Sequence, residues 1–174
     1  MPKPFTARLL AALGTAALLA TSAAAPARAD EDSLVTFRVL APSLAAELAM
    51  ATLEACNQRG FQVAVAVVDR FGVPQALIRD RFAGAHTPDT ATRKAWTAVS
   101  FRSNTLDLVE ATGGDSPQSA ARDITNALML GGGVLVEVGG EMVGAVGVSG
   151  APGGAEDQVC AEDGLAQIED KLPL

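Results

Sequence analysis

The chain has 174 residues, with 13 Lys and Arg against 20 Asp and Glu, giving a formal charge of −7 and an isoelectric point near 4.6. That balance excludes attraction of nucleic acid or of an anionic membrane through the overall field. A length of this order, 49% hydrophobic, is enough for one domain with a real core and too short for two.

The first residues read as a targeting segment. Lys3 and Arg8 form a basic start, Leu9 to Ala20 is a leucine- and alanine-rich run, and Ala27-Arg28-Ala29 has the small-x-small form of a signal-peptidase site. The apolar run is shorter than the roughly 20 residues a membrane span needs. The expectation is a cleaved signal peptide over 1–29, a single domain over 30–174, and a periplasmic or secreted protein with no membrane attachment after cleavage. Loss of Lys3, Arg8 and Arg28, with no acid removed, would take the charge from −7 to −10.

After a polar lead-in, Leu44, Leu48, Ala51 and Ala55 repeat at helical spacing, so a helix is expected over 39–59, ended by Gly60. Gln62 to Asp69 is short, valine-rich and almost wholly apolar. It reads as a central strand in which Ala64 and Ala66 leave room for a helix. A turn at 71–74 leads to a partner strand over 75–81, with Arg79 and Arg81 pointing to one side. Thr87-Pro88-Asp89 signals a helix start, with Thr87 as N-cap, and the helix should reach Phe101. Thr90, Arg93, Lys94 and Thr97 form its polar stripe, opposite Ala91, Ala95, Ala98 and Val99. A short helix over 105–110 ends before Gly113-Gly114, and 113–127 has no readable pattern. Strands over 128–138 and 141–149 flank Gly139-Gly140, a pair suited to a type I′ turn. Gly144 and Gly147 inside the second of these strands imply close approach of another element. Glu156 and Asp157 open a last helix, 155–172, in which Gly164 also allows a close neighbour.

The order is helix, hairpin, helices, hairpin, helix. It predicts an α/β fold of the α+β kind, with an antiparallel sheet of four to five strands flanked by helices.

Cys56 and Cys160 lack the spacing of a zinc site. In an oxidising compartment they are expected to pair, with two buried thiols as the alternative. A disulfide closing so long a loop contributes on the order of 4 kcal/mol by chain entropy. The two cysteines can meet if the first and last helices share a face.

His86 is the only histidine, and no nucleophile motif accompanies it, so no catalytic residue is assigned. It is either a capping residue or the edge of a site, since it lies above Thr90, Arg93, Lys94 and Thr97 on the expected helix. Arg79, Arg81, Arg93, Lys94 and Arg102 face only Asp80 and Asp89, a local excess of +3 in an acidic chain. This is either a solvated face with ion pairs or a pocket for an anionic small molecule. The corner Gly150 to Gly154 lacks phosphate-loop spacing and reads as structural.

The segments QVAVAVVDRFG (62–72), HTPDTATRKAWTAVSFR (86–102) and VGAVGVSGAPGGAEDQVCAEDGLA (143–166) resemble the GlcG/HbpS-like family, described as haem-binding or haem-degrading. The same family supplies the C-terminal domain of PduO-type proteins. The resemblance implies an antiparallel sheet flanked by helices, a homo-oligomer, and haem or a small carboxylate as ligand. His86, Arg79, Arg81, Thr90, Arg93 and Lys94 then form the candidate ligand-binding set, with His86 as a haem-iron ligand. No constant axial ligand of the family maps onto the chain, which has no tyrosine and no second histidine. The functional expectation is an exported homo-oligomeric binding protein for haem or a related anion. An enzyme degrading haem or acting on a hydroxy or keto acid is the first alternative, and a structural or sensory module the second.

Overall fold

Prolines and glycines set most of the element boundaries in the computed structural model, which describes residues 33–172. The expected signal peptide and its cleavage site lie outside the described residues. The compact unit begins at Thr36.

Pro42 opens helix α1 (Pro42–Gln58), later than the apolar stripe alone suggests, because proline lacks an N–H and suits only the first turn. Arg59 caps it and Gly60, at φ 81°, turns the chain toward strand β1 (Ala64–Asp69). A turn through Gly72, φ 82°, joins β1 to β2 (Pro74–Arg79). Helices α2 (Thr87–Phe101) and α3 (Thr105–Ala111) follow, with the left-handed Arg102 ending α2. The second hairpin pairs β3 (Gly133–Val138) with β4 (Glu141–Ser149). Its tip residues Gly139 and Gly140 have φ of 59° and 78°, as a type I′ turn requires. Helix α4 (Gly154–Ala166) ends the set.

The sheet has four strands in the order β2-β1-β4-β3, every pair antiparallel. This is the α+β fold expected from the sequence, with the two hairpins joined through β1 and β4. Alternation along the strands decides which helix covers which face. Val63, Val65, Val67, Val146 and Val148 pack with α1 and α4 into the main core. Ala64, Ala66, Val68 and Ala145 face the other way, onto Ala91, Ala95, Ala98 and Val99 of α2. The alanines on β1 and Gly147 on β4 let α2 lie directly on the sheet: a Cβ at Gly147 would collide with the Ala91 carbonyl. An extra residue in β4, Val143, shifts the β3–β4 register and turns Val143 into the main core.

Helices α1 and α4 cross at Gly164, where any side chain would meet Thr52. One turn along the same seam Cys56 and Cys160 form a disulfide, their Cα atoms 5.2 Å apart. Arg59 pairs with Asp163, and Lys171 with Glu47, on the rim of the same contact. The sequence stripes on the two helices thus meet each other as well as the sheet.

Besides the start of α1 and shifts of one or two residues at β1 and β2, three boundaries differ from the sequence reading. Strand β3 starts at Gly133 and not near 128, because the residues before it serve α2: the Leu128 N–H donates to Thr97 Oγ1, and Gly133 lies against the Lys94 carbonyl. Helix α4 stops at Ala166, and Glu169–Lys171 forms a 3-10 turn. Carboxylates at 169 and 170 oppose the negative pole of a longer helix. Helix α2 includes Thr87; His86 occupies the N-cap position without a side-chain cap, while the Thr87 hydroxyl donates to the Gly84 carbonyl. The unreadable stretch 113–127 contains one 3-10 turn, Ser119–Asp123, tied by Arg122 to the carbonyls of Val109 and Thr112. Among the described residues no helix is long and apolar enough to cross a membrane.

Candidate functional site

A cleft of about 510 Å³ opens where the N-terminus of α2 faces the corner between β4 and α4. One wall carries His86, Thr90, Arg93 and Lys94, which recur at helical spacing on α2. The opposite wall is the glycine-rich corner Ser149 to Gly154, and Leu128, Leu130 and Asp157 also line the cleft. A more apolar groove of about 450 Å³ lies elsewhere, lined by Phe61, Ala155 and Val159 together with Arg59 and Glu156.

The polar side chains of the cleft differ in what holds them. The His86 ring is exposed and lies over Gly84, where a Cβ would be 2.6 Å from Cε1 and 2.8 Å from Nδ1. The His86 carbonyl accepts from the Thr90 N–H and hydroxyl, each at 3.0 Å. The Arg93 guanidinium donates to the carbonyls of Ala127 at 3.1 Å and of Asn126 at 3.4 Å. Asn126 presents its carbonyl from a left-handed backbone, φ 71°.

Lys94 departs most from expectation. It belongs to the polar stripe in sequence, yet its side chain is 0% exposed. Its ammonium donates to Asp157 Oδ2 at 2.7 Å and to the Val148 carbonyl at 2.9 Å. The other oxygen of Asp157 accepts from the Ala151 N–H at 3.0 Å. Burial pushes the Lys94 ammonium below its ordinary range and the Asp157 carboxyl above its own, each shift opposed by the attraction of the partner. Sequence reading placed Asp157 only in the first turn of α4. The signal that could have found it is the pairing of a lysine on an otherwise alanine-lined helix with an acid directly after a glycine corner.

The expected basic patch therefore resolves into separate roles. Arg79 donates to the Ala83 carbonyl and braces the loop before His86, outside the cleft lining. Arg81 lies over the Phe82 ring, 5.8 Å from its centroid, also outside. Arg102 ends α2 at its far end. The Lys94 charge is balanced by Asp157, which leaves Arg93 as the cation of the lining with no acidic partner among the described residues. Conversely, the glycine corner 150–154, read as purely structural, forms a cleft wall. Among the described residues no group of His, Cys, Asp and Glu could hold a metal ion.

Comparisons with known proteins agree with this architecture. Residues 40–166 match the family model described as haem degrading protein HbpS-like. The crystal structure of a Streptomyces reticuli HbpS double mutant superposes with a TM-score of 0.75 at 37% identity, covering 84% of this chain and 98% of that one. Klebsiella pneumoniae ORFY gives 0.74 at 25% identity, over 78% and 94%. The structure of a PduOC:heme complex gives 0.68 at 25% identity, over 74% and 94%. No curated protein matches the chain significantly. A family model spanning most of the chain, and an HbpS structure matched over nearly its whole length, lead to one conclusion: the chain belongs to the HbpS-like family.

Proposed function

We propose that the protein is an exported, homo-oligomeric binding protein for haem or a related anionic small molecule, held in the cleft between α2 and the 149–154 corner. The observation that carries this reading is the convergence on one cleft of His86, the only imidazole in the chain, and Arg93, a cation with no acidic partner among the described residues. Membership of a haem-linked family and the likeness to a haem-bound neighbour support the choice of ligand.

The donor set fits a haem. His86 presents an exposed imidazole, a usual ligand of haem iron. Arg93 offers a guanidinium for a propionate carboxylate. Gly150, Gly153 and Gly154 keep side chains on the facing wall few and small, beside Ser149, Ala151 and Pro152, so that a flat ring can lie against it. His86 would hold the iron and Arg93 a propionate, while Leu128 and Leu130 would cover apolar ring edge. Haem, when bound, supplies an iron centre whose reactivity its axial ligand tunes. With one histidine per chain, two imidazoles on one iron require two subunits.

Two further observations support the remaining parts of the reading. A disulfide suits an oxidising compartment, in keeping with export. Phe71, Val73 and Leu77 are exposed on and beside the edge strand β2, a surface suited to burial between copies.

The test is titration of haem into the mature protein and into His86→Ala, followed in the Soret band with haem counted per subunit. A saturable transition in the wild type, weakened at least tenfold or spectrally altered in the variant, is expected. A wild type with no saturable change at micromolar haem sinks the haem reading and moves the search to small carboxylates.

A further inference from the structure

The Lys94–Asp157 pair has features that stability alone does not explain. Taking both charges out of water carries a penalty that an apolar pair of similar size would avoid. Yet the pair is not isolated in the core. Its hydrogen bonds run to the end of β4 through the Val148 carbonyl, to the first turn of α4 through Asp157 itself, and to the corner between them through the Ala151 N–H. Every one of these bonds ends on a segment that frames the glycine wall of the cleft.

The surroundings have been cleared for this arrangement. Gly132 stands at φ 113°, where a Cβ would be 2.6 Å from Asp157 Cβ, 2.8 Å from the Val148 carbonyl oxygen and 3.1 Å from Lys94 Nζ. Gly131 and Gly154 are in mutual backbone contact beside it, and Gly150, φ 136°, lies against the Gln62 carbonyl and Val63. A left-handed backbone favours glycine, and here a side chain would also displace the charged pair. Lys94 extends from the same helix that presents His86 and Arg93. The pair therefore fixes the distance between the two walls: the side chains of α2 on one side and the 150–154 backbone on the other.

We propose that Lys94 and Asp157 are positioning residues that hold the glycine wall at the separation from α2 needed for ligand binding. This rests on the reading that the cleft is the ligand site. The pair touches the wall and not the ligand, and without it the corner opens while the sheet and the helices persist.

The experiment compares the full mature protein with Lys94→Met/Asp157→Leu, which replaces both charges by apolar groups. Amide hydrogen exchange is read in the absence of ligand, and haem titration follows. Expected are exchange at least tenfold faster at Ala151 and through the corner, unchanged protection of β4, and haem affinity reduced at least tenfold. Should the double variant fail to fold, Asp157→Asn gives the same readout with the side-chain shape kept. Unchanged corner protection in a variant with native β4 protection overturns the positioning role. A loosened corner with undiminished haem affinity overturns its link to binding. A wild type that binds no haem defeats the haem reading alone, because corner exchange still decides what the pair does.

Discussion

At the scale of single residues, burial sorts the basic side chains. Arg79, Arg81, Arg93 and Lys94 look alike as local positive charge in the sequence, and the fold gives them four different tasks. Lys94 is neutralised in the interior, Arg79 braces a loop, Arg81 covers Phe82, and Arg93 is left at the cleft. His86 was legible as a candidate because it is unique and precedes a helix start. That Gly84 makes room for its ring was not legible, because the loop conformation decides it. Gly84→Ala places a methyl within the His86 imidazole and forces the ring to rotate. Because the loop is exposed, unfolding free energy should change by no more than about 0.5 kcal/mol. Haem affinity and the Soret position should move toward those of His86→Ala. A variant with wild-type Soret behaviour would show that the ring orientation over Gly84 does not matter.

At the scale of elements, small residues decide how closely neighbours approach. Ala64, Ala66 and Gly147 admit α2 to one face of the sheet, and Gly164 admits α1 to α4. The sequence reading expected close neighbours at Ala64, Ala66, Gly147 and Gly164 and could not name them all, because contact partners distant in sequence leave no local pattern. It also left the pairing of Cys56 with Cys160 dependent on whether two helices share a face; they do. The bond spans a sequence separation of 104 residues, so its removal should lower stability by about 4–5 kcal/mol if chain entropy dominates. Denaturant unfolding of the wild type and of Cys56→Ala/Cys160→Ala measures this directly. A loss below about 1 kcal/mol would mean that the packing of α1 on α4 already holds the seam without the covalent link.

At the scale of the whole molecule, an acidic chain presents a locally polar cleft and, on another part of its surface, an apolar sheet edge. The net charge opposes non-specific contact with nucleic acid, whereas self-association can use Phe71, Val73 and Leu77. Light scattering on the mature protein should therefore give a mass of at least two subunits. Leu77→Lys, on the edge strand, should shift that mass toward the monomer without loss of secondary structure. A wild-type protein that is monomeric at all accessible concentrations removes self-association from the proposed function. Mass spectrometry of the exported form, with an N-terminus at or near Asp30, tests the targeting part separately.

The order of elements, both hairpins and their tip glycines, the faces of β1 and the family resemblance were legible in the amino-acid sequence. The elements, hairpins and strand faces follow from periodicity and turn chemistry, which act over a few residues; the resemblance rests on the wording of three segments. The burial of Lys94, its pairing with Asp157 and the place of the glycine corner as a cleft wall emerge only when the chain is folded. Those outcomes depend on residues 63 positions apart meeting across the sheet end, where desolvation and hydrogen bonding, and not local propensity, set what each group does.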